Sequence, residues 1–145
     1  MFDVSERLIP GPGRCRPRLL GGLLTAMALA SAGAAADDAR RSTAQGVYTT
    51  EQAQTGLEVH EEYCAKCHHY SYFQGGFLIS WRNQPVSGLY DLIKLKMPED
   101  RPGALKPKEY AALLAYIFEL NDLPAGDEKL SHKHEAMEQI LIADE

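Results

Sequence analysis

The stretch CAKCHHY, residues 64–70, places two thiols and two imidazoles close together in the chain. Such a group has three common uses in proteins: it holds a structural metal ion, forms a redox-active disulfide, or attaches a haem covalently. Each use makes different demands on the surrounding sequence. The rest of the chain therefore discriminates among the three.

The metal site and the redox disulfide both lack the sequence context that they require. A structural zinc site needs four ligands, usually as two separated pairs, and only His132 and His134 could complement Cys64 and Cys67. Their spacing fits no recurrent zinc pattern. A thioredoxin-like pair belongs to a βαβ unit, whereas this chain shows helical periodicity and no convincing alternating strands. Both alternatives are therefore weaker than haem attachment.

The third use depends on the residue that follows the second cysteine. In C-x-x-C-H, the two thiols form thioethers to the haem vinyl groups, and the adjacent histidine, here His68, is an axial ligand of the iron. A second axial ligand is needed if the iron is six-coordinate. Met97 lies 29 residues after His68, directly before Pro98 and after an apolar stripe. The alternative role for a methionine there is core packing, but the Met-Pro placement favours ligation.

Residues 1–36 have the pattern of a secretory signal peptide that is removed. Arg14, Arg16 and Arg18 precede an apolar run, and Ala34 and Ala36 give an A-x-A cleavage pattern. The run is interrupted by Gly and Thr and is shorter than the roughly 20 residues of a spanning helix, so a retained membrane anchor is the weaker alternative. We expect export to the periplasm, where haem attachment of this type occurs, and no membrane span after cleavage.

Composition narrows the class of protein further. The 145 residues include 15 basic and 20 acidic side chains, and the leader holds four of the former and two of the latter, so its removal leaves a net charge of −7. An acidic domain is a poor candidate for nucleic-acid binding. The remaining two cysteines are too few for a disulfide scaffold. A domain this small buries little surface, and a large apolar cofactor would compensate.

The pattern of apolar residues predicts three helices joined by irregular loops. We expect a flexible linker at residues 37–48, and then a helix that Thr49 or Thr50 caps and that reaches the cysteine cluster. The second helix ends just before Pro98, and the third has Pro107 at its first position. The three helices are predicted at 49–68, 86–96 and 107–120, with a tail of unclear structure after residue 127.

The segments GLEVHEEYCAKCH, LKMPED and KEYAALLAYIFELNDLPAG resemble class I mono-haem cytochromes c. The resemblance covers about residues 49–130 and is strongest to a bacterial subgroup with Phe77 and Trp81 between the haem motif and Met-Pro. It implies an all-α cytochrome c fold in residues 49–145, with three main helices around one covalently bound haem c. It also implies that the first and last helices cross, with Gly56 allowing Tyr116 or its neighbours to approach.

The resemblance implies an electron carrier and not an enzyme. Such proteins pass single electrons between periplasmic partners, for example from a quinoprotein dehydrogenase towards a terminal oxidase. The alternative is a haem enzyme or a gas or redox sensor in which the sixth iron position is open. Three departures stand out: His69 replaces a usual glycine, His60 replaces a usual aromatic residue, and no proline lies between His68 and Phe77. The group that orients the His68 ring is therefore unidentified.

Several further side chains have a functional and a structural interpretation. Phe77, Trp81 and Tyr70 are predicted to line the haem pocket, together with Tyr72 and Phe73. Trp81 could donate its indole N–H to a haem propionate or equally be a core residue that needs an acceptor. His60 is expected to fill the helix-crossing position and His69 to be a solvated loop residue, and either becomes a candidate iron ligand if Met97 does not bind. Lys94 and Lys96 are either a docking patch or simply solvated. For His132, His134 and Met137, a loose copper-binding set, a solvated tail is the favoured interpretation.

Overall fold

A computed structural model describes residues 40–143 of the chain, and the predicted leader lies outside this range. The described part is mainly helical, as predicted. Three main helices, α1 (Thr50–Tyr63), α3 (Val86–Lys96) and α4 (Pro107–Glu119), are accompanied by two short ones, α2 (Gly76–Ile79) and α5 (His134–Glu138). Two-residue strands β1 (Arg41–Ser42) and β2 (Ile140–Leu141) pair in parallel. Within residues 40–143, no helix is long and apolar enough to cross a membrane.

The helix boundaries follow the local signals for capping and termination. Thr49 is the N-cap of α1, and its Oγ1 accepts a hydrogen bond from the Gln52 N–H at 3.2 Å. Pro107 opens α4, where its missing N–H costs nothing. α3 has the predicted bounds. α1 ends at Tyr63, before the predicted end at residue 68, because the cysteine cluster forms a separate turn.

α1 and α4 cross in close contact at Gly56. A Cβ atom at this position would lie 2.0 Å from the Ala112 carbonyl oxygen and 2.8 Å from Tyr116 Cβ. Only a glycine lets the two backbones approach this closely. The crossing expected from the sequence is therefore present, and it fixes the end of α1 relative to α4, whose side chains are buried from Tyr110 to Phe118.

Composition predicts a flexible linker at residues 37–48. Residues 37–39 lie outside the described part of the chain, and the rest of the segment is instead packed into the fold. Val47 and Tyr48 are buried, and the Tyr48 hydroxyl donates to the Leu123 carbonyl oxygen at 2.6 Å. The Gly126 N–H in turn donates to the Tyr48 carbonyl oxygen at 2.7 Å. The partners are more than 70 residues away in sequence, so the polar composition of this segment does not reveal its fixed position.

The tail also differs from the solvated segment that the sequence suggests. Met137 in α5 is fully buried in the core. The side-chain amide of Gln52 donates to the Leu130 carbonyl oxygen at 2.9 Å and accepts from the Leu130 N–H at 2.7 Å. His134 Nε2 lies 3.0 Å from Asp91 Oδ2 in α3. The C-terminal segment is therefore an integral layer of the fold, and Met137 is a core residue.

Candidate cofactor site

A cavity of about 700 Å³ that is partly open to solvent lies among the turn after α1, the aromatic segment 72–77 and the C-terminal end of α3. Its volume is within the range of roughly 300–1,000 Å³ that is typical of ligand and cofactor pockets. The lining residues are Glu62, Tyr63, Cys64, Lys66, Cys67, His68, Tyr72, Phe73, Phe77, Leu92, Ile93, Lys96, Met97, Pro98, Glu99, Asp100, Arg101 and Leu113.

The four side chains that the sequence selects as cofactor ligands all line this one cavity. Cys64, Cys67 and His68 come from the turn after α1, and Met97 comes from the end of α3. Residues 68 and 97 are brought together by the way α1 and α3 both pack on α4. No other described methionine contributes to this wall, since Met137 is buried elsewhere in the core.

The turn of residues 64–68 is held by hydrogen bonds at both of its ends. At its start, the N–H groups of Cys64 and Ala65 both donate to the His60 carbonyl oxygen at 2.8 Å. Within it, the N–H groups of Cys67 and His68 donate to the Cys64 carbonyl oxygen at 3.0 and 2.8 Å. At its end, the His60 ring Nε2 lies 2.9 Å from the His68 carbonyl oxygen.

The two thiols have different surroundings. Both are free in the structure, with Cys64 half-buried and Cys67 exposed. Burial raises the pKa of the Cys64 thiol to about 11, so this group is a neutral thiol at physiological pH. Cys67 is the more accessible of the two to a reagent that enters from solvent.

An aromatic cluster forms one side of the cavity. The His68 ring lies 4.7 Å from the Tyr72 ring and 5.8 Å from the Phe73 ring, measured between centroids. Phe77 completes the cluster at 5.6 Å from Tyr72 and 5.3 Å from Phe73. Tilted and edge-on contacts of this kind are favourable and restrict ring rotation. The cluster therefore supplies an apolar wall beside the predicted imidazole ligand.

Met97 is fixed through its main chain. Its N–H donates to the Ile93 carbonyl oxygen at 2.8 Å, and its own carbonyl oxygen accepts a hydrogen bond from the Tyr110 hydroxyl at 2.8 Å. Burial raises the pKa of Tyr110, which keeps its hydroxyl protonated as a donor. The sequence places Tyr110 only in the apolar stripe of α4. The available signal was that a buried tyrosine needs a partner for its hydroxyl.

The rim of the cavity is mixed in charge and partly apolar. Its charged side chains are Glu62, Lys66, Lys96, Glu99, Asp100 and Arg101. Tyr72 and Leu92 also line the cavity, yet they are 56% and 44% exposed. Large apolar side chains that are exposed at a cavity rim can become buried when an apolar ligand packs against them. Lys94 is directed elsewhere, with Nζ 5.6 Å from the Tyr90 ring centroid.

Two of the five predicted pocket residues outside the ligand set do not line the cavity, while Tyr72 and Phe73 line it. Phe77 does, but Tyr70 is 46% exposed, with its ring 4.1 Å from the His69 ring. Trp81 is half-buried and packs near Gly88 of α3, against the core. The structure thus gives Trp81 the core position that the sequence left as its alternative interpretation. Tyr70 begins a helical turn at residues 70–73, and Trp81 follows another at 76–79, where the sequence suggested an open loop.

His60 and His69, the substitute iron ligands, are also outside the cavity wall. His60 is buried against Phe73 and Tyr116, and its Nε2 is engaged by the main chain. His69 Nδ1 lies 3.0 Å from Ser71 Oγ on the surface. Met97 is therefore better placed than either histidine to face a group bound beside His68.

Residues 40–143 contain no group of three or more His, Cys, Asp or Glu side chains placed to hold a metal ion. This includes the zinc set of Cys64, Cys67, His132 and His134 considered from the sequence. In the copper set, Met137 is buried in the core and His134 lies beside Asp91. The finding does not bear on a haem iron, whose porphyrin supplies four of the six ligands and leaves only two axial positions for the protein.

The chemistry of the cavity fits a haem that is attached through thioethers. Two thiols, one imidazole and one thioether line a space of suitable size whose other walls are aromatic and aliphatic and whose rim is charged. Imidazole and methionine sulfur are common axial ligands of haem iron. No family model, curated protein or solved structure matches this chain.

Proposed function

We propose that this protein is an exported mono-haem cytochrome c that carries single electrons between protein redox partners. One observation carries the proposal: Cys64, Cys67, His68 and Met97 line a single cavity of about 700 Å³. A metal site or a redox disulfide would not need the large apolar space or the methionine. The resemblance of the sequence to class I cytochromes c supports the same function.

Each of the four side chains has a separate role in this proposal. Cys64 and Cys67 would attach the haem through thioethers, and His68 and Met97 would bind its iron. The haem supplies the redox chemistry, since its iron takes up and releases one electron. A thioether ligand raises the reduction potential by favouring the ferrous state. The apolar wall also raises the reduction potential, because burial disfavours the more highly charged ferric centre.

The rest of the site excludes water and leaves an edge for electron exchange. Phe73 and Ile93 are buried parts of the cavity wall, whereas Tyr72 and Leu92 remain exposed at its opening. A flat cofactor in this space would have one edge near the surface. Electrons could then pass to a docked protein without any ligand leaving the iron.

The hydrogen bond from Tyr110 to the Met97 main chain supports a carrier over the alternative haem enzyme or sensor. Enzymes and sensors need an open iron position for their substrate. The main-chain N–H and C=O of Met97 are both hydrogen-bonded, which favours a methionine that stays in place. The predicted leader and the resemblance together suggest periplasmic partners, such as a quinoprotein dehydrogenase as donor and a terminal oxidase as acceptor.

The proposal is tested on protein produced in cells that attach haem in the periplasm. The purified protein should hold one haem that acidified organic solvent does not extract, and it should show a reversible one-electron couple. The ferric form should show the weak near-infrared band of methionine sulfur bound to iron. Met97→Ala should abolish that band, lower the potential and let carbon monoxide bind, with the haem still attached.

Met137→Leu is the matched control, because it removes the other described methionine while nearly conserving its buried volume. It should leave the band and the potential unchanged. Haem that is extracted by acidified solvent would contradict the roles of Cys64 and Cys67. A Met97→Ala protein with the wild-type spectrum would remove Met97 as a ligand, and carbon monoxide binding by the wild type would favour the enzyme or sensor.

A further inference from the structure

His60 is a buried histidine outside the cavity wall, and its position raises the question of why a polar ring lies there. Only 4% of the residue is exposed. Its carbonyl oxygen accepts from the N–H groups of Cys64 and Ala65, and its ring Nε2 lies 2.9 Å from the His68 carbonyl oxygen. This one residue therefore contacts the first and the last residue of the turn that carries both cysteines.

The direction of the ring hydrogen bond follows from its partner. A backbone carbonyl can only accept, so Nε2 must be the protonated nitrogen of the ring. His68 is then restrained on both sides of its Cα atom. Its N–H donates to the Cys64 carbonyl oxygen, and its carbonyl oxygen accepts from His60.

The faces of the His60 ring are held by aromatic neighbours. The Phe73 ring lies edge-on at 5.6 Å, and the Tyr116 ring lies tilted at 5.5 Å. Phenylalanine in place of His60 would keep this packing. The N–H donor directed at His68 is the part that phenylalanine lacks, so packing and hydrogen bonding can be separated by substitution.

We propose that His60 is a positioning residue that preorganises residues 64–68 for haem attachment and restrains the His68 imidazole through its main chain. The proposal rests on the proposed function, because it gives His68 the role of an iron ligand. A turn that is already ordered loses less conformational entropy when it binds its cofactor. A restrained backbone also limits the orientations that the His68 ring can take at the iron.

The test compares three variants of the holoprotein. His60→Phe keeps the aromatic packing and removes the donor, whereas His60→Gln places an amide N–H near the position of Nε2. His69→Phe is the control, because it changes an exposed neighbouring histidine that bonds only locally to Ser71. Amide hydrogen exchange of Cys67 and His68, the midpoint potential and the paramagnetically shifted NMR signals of the His68 ring are measured for each.

We expect His60→Phe to speed exchange at Cys67 and His68 about fivefold to tenfold, as loss of one hydrogen bond should favour local opening. Its potential and His68 ring signals should also shift. His60→Gln should restore exchange to within about twofold of wild type and return both other readouts, and His69→Phe should leave all three unchanged.

Wild-type exchange, potential and ring signals in His60→Phe would overturn the proposal. If that variant does not fold, His60→Gln decides alone: wild-type behaviour supports the proposal, and faster exchange at Cys67 and His68 contradicts it. Failure of the proposed function is distinguishable from these results. Wild-type protein without covalent haem would contradict the cytochrome assignment, while the exchange comparison would still test the role of His60 in ordering the turn.

Discussion

The contact between α1 and α4 at Gly56 sets how closely the two longest helices approach, and it is sensitive to a single methyl group. Gly56→Ala would place Cβ 2.0 Å from the Ala112 carbonyl oxygen, whereas ordinary contacts begin near 3.4 Å. The helices would have to separate by about 1.4 Å, the difference between these distances. The obstructing atom belongs to backbone, so no side-chain rotation can relieve the clash.

The expected loss of stability follows from two opposing effects. Overpacking of a close-packed interior typically costs about 1–3 kcal/mol, and a backbone clash belongs at the upper end of this range. Alanine regains up to about 1 kcal/mol of helix propensity over glycine. The net destabilisation is therefore about 2 kcal/mol. A domain of about 100 residues should lose roughly 8–16 °C in Tm for this change.

Gly88→Ala is the matched control for this experiment. Gly88 lies inside α3, and a Cβ there would meet only Trp81 Cζ3 at 3.3 Å, which is the end of a side chain. The gain in helix propensity should offset this contact, so we expect a Tm within a few degrees of wild type. Thermal unfolding followed by circular dichroism measures both variants. Equal Tm values for Gly56→Ala and wild type would refute the close crossing of α1 and α4.

Two further predictions concern the segments that join the ends of the fold. Burial raises the pKa of Tyr48 from 10.0 to about 12, so its contribution to stability is complete below pH 10 and is lost as pH rises through 12. Urea unfolding at several pH values should therefore show less alkaline loss in Tyr48→Phe than in wild type, and parallel losses would contradict this. Met137→Ala should lower the free energy of unfolding by about 2–5 kcal/mol because Met137 is fully buried; a loss below 1 kcal/mol would argue for the solvated tail instead.

Local sequence signals were sufficient for most bounds of the main helices, but they missed the end of α1 at Tyr63 and the positions of Tyr70 and Trp81 outside the cavity. The bounds of α3, the Thr49 cap and Pro107 at the start of α4 depend only on neighbouring residues. The motif spacing likewise agrees with the structure, in which one cavity is lined by Cys64, Cys67, His68 and Met97. The close contact at Gly56 could be predicted because glycine destabilises a helix interior, so its presence there indicates a close approach of another element.

The remaining features depend on contacts between distant parts of the chain. The hydrogen bonds that link Gln52 to Leu130 join residues 78 apart, and those that place Tyr48 beside Leu123 join residues 75 apart. No periodicity within either segment indicates such a partner. The same limit applies to His60, whose helical position was evident but whose contact with the His68 carbonyl oxygen depends on the path of the turn.

The parallel pairing of β1 with β2 has a consequence for the order in which the fold can be completed during synthesis. Arg41 and Ser42 have their partners at Ile140 and Leu141, and the Ala143 N–H donates to Thr43 Oγ1 at 2.9 Å. These contacts cannot form until residue 143 has left the ribosome, and closing a loop between residues 100 apart in sequence is slow. The strand pair is therefore a contact that forms late, and the helices between β1 and β2 can pack on one another before it closes.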